Sequence, residues 1–494
     1  MRQVLTKADW LAARGCVTQG WFQLREPSAA PTEAERFRMQ QGFEVGLRAR
    51  DLFPNGMFVG KKDGVVPAEV THQLINMSEH DTFFEPTFVA DPFIAKVDIL
   101  RRDGTAWHVL EVKSSFPTSN RIEELVDDLT YTVFVLKRAG QQVAKASLVL
   151  LSHEFKLGQP MGQLFEIIDK TADVNERLVE IEPIADRMAA SLLDTNRPKP
   201  RLISSCRECR FFTTKCIGYG LEHTVFEIPA LHPKKLRLLS EGEIVDLSRV
   251  PDDLQLSDVQ QRARCAALSG QVAVSTSLNK HLQGIQWPCH YLDFETVATV
   301  LPLYPGHGCH RQVLTQFSIH HRDGIDADLA HSEYLADASK DCEREVAEAL
   351  LAALKNSGSI IVYSHFEKTR IEALIELFPD LAELLQAVVR RLCDLHTIVE
   401  DNAYHPKFRG SFSIKKVLPA LVPGLSYADL RIGDGDTAIA RFAAMANGGI
   451  TGDAATRTRE DLLEYCKRDT LAMVRLHEAL HTLAKEQRSA PCAQ

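Results

Sequence analysis

Alternation of apolar and polar positions marks two strand-rich stretches. In FIAKVDILRRDGTAWHVLEVKSS, residues 93–115, two period-two runs flank Asp103-Gly104, a strong two-residue turn signal. The pattern predicts a β-hairpin. With Asp103 and Gly104 as the turn, Arg102 pairs with Thr105 and Asp98 stands opposite Val109. Side chains alternate along a strand, so Asp98, Glu111 and Lys113 share one face. In HYLDFETVAT, 290–299, Tyr291, Leu292 and Phe294 predict a core strand that carries Asp293 and Glu295 on one face at i and i+2. Helical spacing follows in TREDLLEYCKRDTLAMVRLHEAL, 458–480, where Leu462, Leu463, Tyr465 and Val474 support an apolar face. Thr458 with Asp461 approximates a capping box at its start, and Tyr465 and Asp469 lie side by side at i and i+4.

These patterns imply an α/β protein of more than one domain, since 494 residues exceed one ordinary core. No internal repeat is visible. Residues 1–220 mix helical and strand patterns and end at a cysteine cluster. Residues 221–286 turn polar and helical, as a connector would. Residues 287–485 alternate strand and helix, and 486–494 read as a frayed tail.

Composition narrows the class. Hydrophobic content of 45% and charged content of 25% are those of a soluble globular protein. No apolar run reaches membrane-span length, and Lys7, Asp9 and Arg14 interrupt the N-terminus where a signal peptide needs an apolar stretch, so the expected location is the cytoplasm with no membrane partner. A net charge of −9 counts against a broad basic surface for nucleic acid, but it is compatible with an acidic active site. Eleven irregularly spaced cysteines suggest ligation by a subset rather than a disulfide framework. In CRECRFFTTKC, Cys206, Cys209 and Cys216 supply three thiols where a metal or cluster site usually needs four ligands.

Two carboxylates and a lysine on one sheet face suit phosphodiester hydrolysis. Asp98 and Glu111 would hold Mg²⁺ or Mn²⁺, and Lys113 would position water or offset developing charge. The plain alternative is a solvated strand face. The pattern D-x12-E-V-K resembles the PD-(D/E)XK nuclease superfamily, whose acid, acid and lysine positions fall on Asp98, Glu111 and Lys113. GFEVGLRARDLFPNG, 42–56, resembles the first helix of the RecB-like branch. That resemblance implies Glu44 as a further metal ligand, with a simple surface residue as the alternative. DDLTYTVFVLKRAG resembles that branch's Q-x-x-x-Y helix. Tyr131 matches the tyrosine, and Asp127 stands where that branch has the glutamine.

Some RecB-like members, the AddB helicase-nucleases and the CRISPR-associated iron–sulfur exonucleases, carry one cysteine upstream and three clustered downstream around a [4Fe–4S] cluster. The resemblance implies Cys16, Cys206, Cys209 and Cys216 as those ligands, with zinc as the alternative. A link from residue 16 to residue 206 closes a loop of roughly 190 residues and would stabilise by on the order of 5 kcal/mol, so a structural role suffices.

The second half is similar to the DEDD exonucleases of the ribonuclease H-like fold, tyrosine subtype. D-x-E opens the site, a third acid follows a middle strand, and Y-x-x-x-D closes it. The resemblance implies Asp293, Glu295, Glu367 and Asp469 as metal ligands and Tyr465 as the group that orients water, with a core aromatic as its alternative. Glu367 stands where the family has aspartate, and Asp394 is the outer candidate. The two halves together, with SFSIKKVLPAL at 411–421, resemble over nearly the whole chain a bacterial family known as domain of unknown function 2779. Within that segment Lys415 or Lys416 is offered to a phosphate, or simply starts a solvated helix.

The expectation is a metal-dependent nuclease with two sites, one cleaving DNA and one trimming DNA or RNA 3′ ends, in a setting such as repair or defence. Two alternatives stay open: an RNA-specific second half, or a half that only clamps nucleic acid or a partner.

Overall fold

The structure is a computed structural model that describes residues 4–26, 30–60 and 68–489. It is a mixed α/β architecture in two compact units. The first comprises residues 1–200 and 299–311; the second comprises 201–298 and 312–494.

The first unit is built on a six-stranded sheet whose spatial order follows the chain: β1 (Met57–Phe58), β2 (Thr82–Phe84), β3 (Ile99–Asp103), β4 (Ala106–Val112), β5 (Val143–Leu151) and β6 (Phe165–Asp169). The helices that precede the central strands include α1 (Lys7–Gly15) and α2 (Glu33–Arg50). α1 starts at a full capping box between Thr6 and Asp9. The crossover from β4 to the parallel β5 runs through α3 (Ile122–Arg138), which packs on β5 and on α4 (Thr171–Leu193). Trp10, Phe93, Tyr131 and Phe134 stack in the core between these elements.

The hairpin forms, with its turn one residue later than expected. Asp103 pairs with Ala106 and Ile99 with Leu110, so Gly104 and Thr105 make the loop. Gly104 takes φ +61° at the first loop position, where two-residue hairpins favour glycine. The ladder ends at Ile99, and Asp98, in the bend just before it, lies beside Glu111 instead of Val109 and accepts the Val112 N–H. Because both strands shift together, parity survives and the shared face is retained.

The second unit carries a five-stranded sheet in the order β9-β8-β7-β10-β11, from β7 (Cys289–Ala298), β8 (Gln312–Arg322), β9 (Ala330–Leu335), β10 (Ser359–Val362) and β11 (Leu392–Asp394). β7, β8 and β9 are antiparallel neighbours, and β10 and β11 run parallel to β7. Its helices include α5 (Phe366–Leu377), α6 (Leu395–Asn402), α7 (Ile414–Leu421) and α8 (Gly452–Ser489). α8 lies on β7 and β8. It begins six residues before Thr458, which is buried inside it, so the expected capping box does not form. The Ala454-Ala455 run extends the helix upstream. At its other end the helix continues to Ser489, and residues 490–494 of the expected tail lie outside the described residues. Within the polar stretch 221–286, Val225 and Leu247 join Leu202 and Phe212 in one apolar cluster, while Leu278, Leu282 and Ile285 belong to the core around Tyr291 and Val474. No helix among the described residues is long and apolar enough to cross a membrane.

Candidate functional sites

In the first unit, Asp98, Glu111 and Lys113 converge. Lys113 Nζ lies 3.1 Å from Glu111 Oε1 and also pairs with Asp128. Asp98 Oδ2 accepts the Val112 N–H at 2.8 Å. Desolvation and the nearby Glu111 push Asp98 up to about 6. Desolvation also acts on Glu111, but Lys7 and Lys113 outweigh it and hold that carboxyl below its ordinary value. Lys7, the first residue of α1, makes an ion pair with Glu111. Sequence reasoning did not find it, because 104 residues separate the partners and no local spacing links them.

No hydrogen bond or ion pair links Glu44 to Asp98, Glu111 or Lys113 among the described residues. Val45 and Ala49 form the buried face of α2, and Glu44, one position off that face, is exposed and accepts from Gln40 Nε2 at 3.3 Å. Tyr131 is a core residue whose hydroxyl donates to the carbonyls of Leu5 and Ile94 at 2.8 and 3.0 Å. Asp127 pairs with Arg177 at 2.7 Å.

In the second unit, β7 presents Asp293 and Glu295 from one face, and α8 presents Asp469. Oxygens of these three carboxylates lie within 4.8 Å of one another. Glu367, buried in the first turn of α5, adds its charge to both strand acids. Desolvation, then mutual repulsion, raises Asp293 and Glu295 well above ordinary carboxylates. Desolvation also lifts Glu367 to about 7 and Asp469 to about 6. Asp394 turns its oxygens to its own helix, accepting from the His396 N–H at 2.8 Å and the Thr397 hydroxyl at 3.2 Å as the N-cap of α6.

Two tyrosines flank Asp469. Tyr465 is buried and bears on it from one turn earlier in α8. Tyr427, in the loop after α7, donates to Asp469 Oδ1 at 2.5 Å. Desolvation and Asp469 push both phenols up, so both remain donors. The thiol of Cys466 stands 3.3 Å from Asp293 Oδ2. Tyr427 and Cys466 escaped sequence reasoning: GLSYADL has no periodicity to place a tyrosine, and Cys466 reads as an ordinary apolar position of α8.

The donor set fits hard divalent cations. Three clustered carboxylate oxygens, desolvated and short of cationic partners, are the ligands that Mg²⁺ or Mn²⁺ takes.

The cysteines are described within their own units. Cys16 is the joint between α1 and the following helix, Val17–Arg25, in the first unit. Cys206, Cys209 and Cys216 fall in consecutive tight turns of the second, where Cys209 N–H donates to the Cys206 carbonyl and Phe212 N–H to that of Cys209. None of the four is in a disulfide.

Residues 290–413 match the family model described as Domain of unknown function (DUF2779). The matched segment holds Asp293, Glu295, Glu367 and Asp394 and ends before Tyr427, Tyr465 and Asp469. No curated protein matches the chain.

Proposed function

We propose that this chain is a metal-dependent nuclease whose second unit hydrolyses phosphodiester bonds of DNA or RNA at strand ends. The observation that carries the reading is the cluster of Asp293, Glu295 and Asp469 oxygens within 4.8 Å, with Glu367 beside it. Like charges so close and desolvated are unfavourable alone, and a structural role gives no reason to keep them. The sheet order, with three antiparallel strands and two parallel ones, is compatible with a ribonuclease H-like fold and in that way supports the exonuclease reading.

Asp293, Glu295, Asp469 and Glu367 would hold Mg²⁺ or Mn²⁺. Such an ion makes bound water more acidic and offsets charge on the phosphoryl oxygens. Tyr465 would orient the attacking water, as a donor that stays protonated. Tyr427, through its hydrogen bond to Asp469 Oδ1, would restrain the orientation of that carboxylate. In the net reaction one backbone P–O bond is exchanged for a P–O bond to water.

In the first unit, Asp98, Glu111 and Lys113 support a second, PD-(D/E)XK-type site acting on DNA. Lys7 favours a different reading there. Lys7 and Lys113 both pair with Glu111 and occupy a carboxylate that a metal would need, which favours a face that contacts a phosphate backbone without hydrolysing it.

The test is end-labelled single-stranded DNA with Mn²⁺ and anaerobically prepared protein, comparing wild type with Lys113→Ala, Asp293→Ala and the double variant. Two active sites predict that each single variant loses a different set of products. Loss through Lys113→Ala alone makes RNA the substrate to try on the second unit. An intact strand with every protein, followed by intact RNA, refutes the nuclease assignment.

A further inference from the structure

The sequence offers Lys415 and Lys416 equally to a phosphate, and the fold separates them. Lys415 Nζ lies 5.7 Å from the ring centre of Tyr427 and 5.8 Å from that of Tyr465. It is thus held against both tyrosines that flank Asp469. Its hydrogen-bond partner is the carbonyl of Gly433, at 3.3 Å, and among the described residues it forms no ion pair. An ammonium has three donors, so two remain available. Among the described residues, Lys416, one position further around α7 and also exposed, makes no cation–π pair with either tyrosine.

We infer that Lys415 is a substrate-contacting residue of the second unit's site, holding a backbone phosphate of the bound strand above the carboxylates. The inference rests on the nuclease reading of that site and adds the group that admits a polyanion to it. Four acids at one place repel phosphate, and the cation whose field reaches Glu295 and Asp469 is Lys415. It is exposed, whereas Asp469 and Glu367 below it are buried, so it stands where a strand would pass. The two aromatic rings attract the ammonium and help hold it beside the carboxylates. A lysine that served only to tether α7 to Gly433 would need no such placement.

The experiment measures binding of a short fluorescent single-stranded oligonucleotide to the full chain in EDTA, by anisotropy, over a series of salt concentrations. Loss of one phosphate contact lowers the slope of log K against log salt by about 0.7 for single strands. The expected result is that decrease in Lys415→Met, an unchanged slope in Lys416→Met, and recovery in Lys415→Arg. A tether would lower the melting temperature of Lys415→Met and leave the slope unchanged; that outcome, or equal slopes in all variants, overturns the inference. The underlying reading fails separately, if wild type neither binds the oligonucleotide nor cleaves it or its RNA counterpart with Mn²⁺.

Discussion

Glu367 shows how a single side chain reports the site's electrostatics. The fold holds its carboxyl at about 7, mainly through desolvation. A carboxyl whose pKa rises on folding binds its proton more tightly in the folded state. Its stabilising contribution is therefore full below the ordinary carboxylate value near 4 and is lost as pH climbs through 7. The difference is of order 3 kcal/mol. Metal-free protein should accordingly lose stability between pH 5 and pH 8, and Glu367→Gln should flatten that loss. Urea unfolding at both pH values checks it; an unchanged slope in the variant would mean that the desolvation is not felt. Asp98, at about 6, pulls in the same direction, so the slope is expected to shrink and not vanish.

Elements decide which of these residues meet. β7 was legible because Asp293 and Glu295 interrupt an otherwise apolar strand at a spacing that fixes their common face. α8 was legible around Tyr465 and Asp469 because i and i+4 positions adjoin on any helix; its start was not, since a cap signal at Thr458 is weaker than an alanine-rich run that continues the helix. The hairpin's facing residues survived a misplaced turn because the shift preserved parity. Lys7 and Tyr427 were invisible, because each reaches its site through tertiary packing that no local pattern encodes. One close approach is also needed to pair β7 with β10. Gly358, at φ +80°, precedes β10, and a Cβ there would stand 1.8 Å from the Pro288 carbonyl oxygen. Gly358→Ala should cost roughly 2–4 kcal/mol, combining backbone strain with the clash. Denaturant unfolding measures it, and a cost below about 1 kcal/mol, the ordinary scale for point substitutions, would show that the strand start can shift.

At the scale of the molecule, the two units carry separate acidic sites of different character. The first balances its carboxylates with Lys7 and Lys113; the second leaves a carboxylate cluster that calls for divalent cations. The turns at Cys206, Cys209 and Cys216 carry thiols outside any disulfide, ligands of the kind an iron–sulfur cluster or zinc takes. For a cluster, anaerobically purified protein should contain iron and inorganic sulfide and absorb in the visible, and Cys209→Ser should lose all three. Zinc without iron would favour the alternative.

The most direct test of the central claim is Mn²⁺ binding to the full chain, followed by the electron paramagnetic resonance of the free ion. Wild type and Asp293→Asn are compared at pH 8, in the background of Glu111→Gln to silence the first unit's carboxylate pair. Mn²⁺ should bind the background protein, and adding Asp293→Asn should abolish or strongly weaken that binding. Equal binding in both, or none in either, would contradict the assignment of these carboxylates to a metal centre.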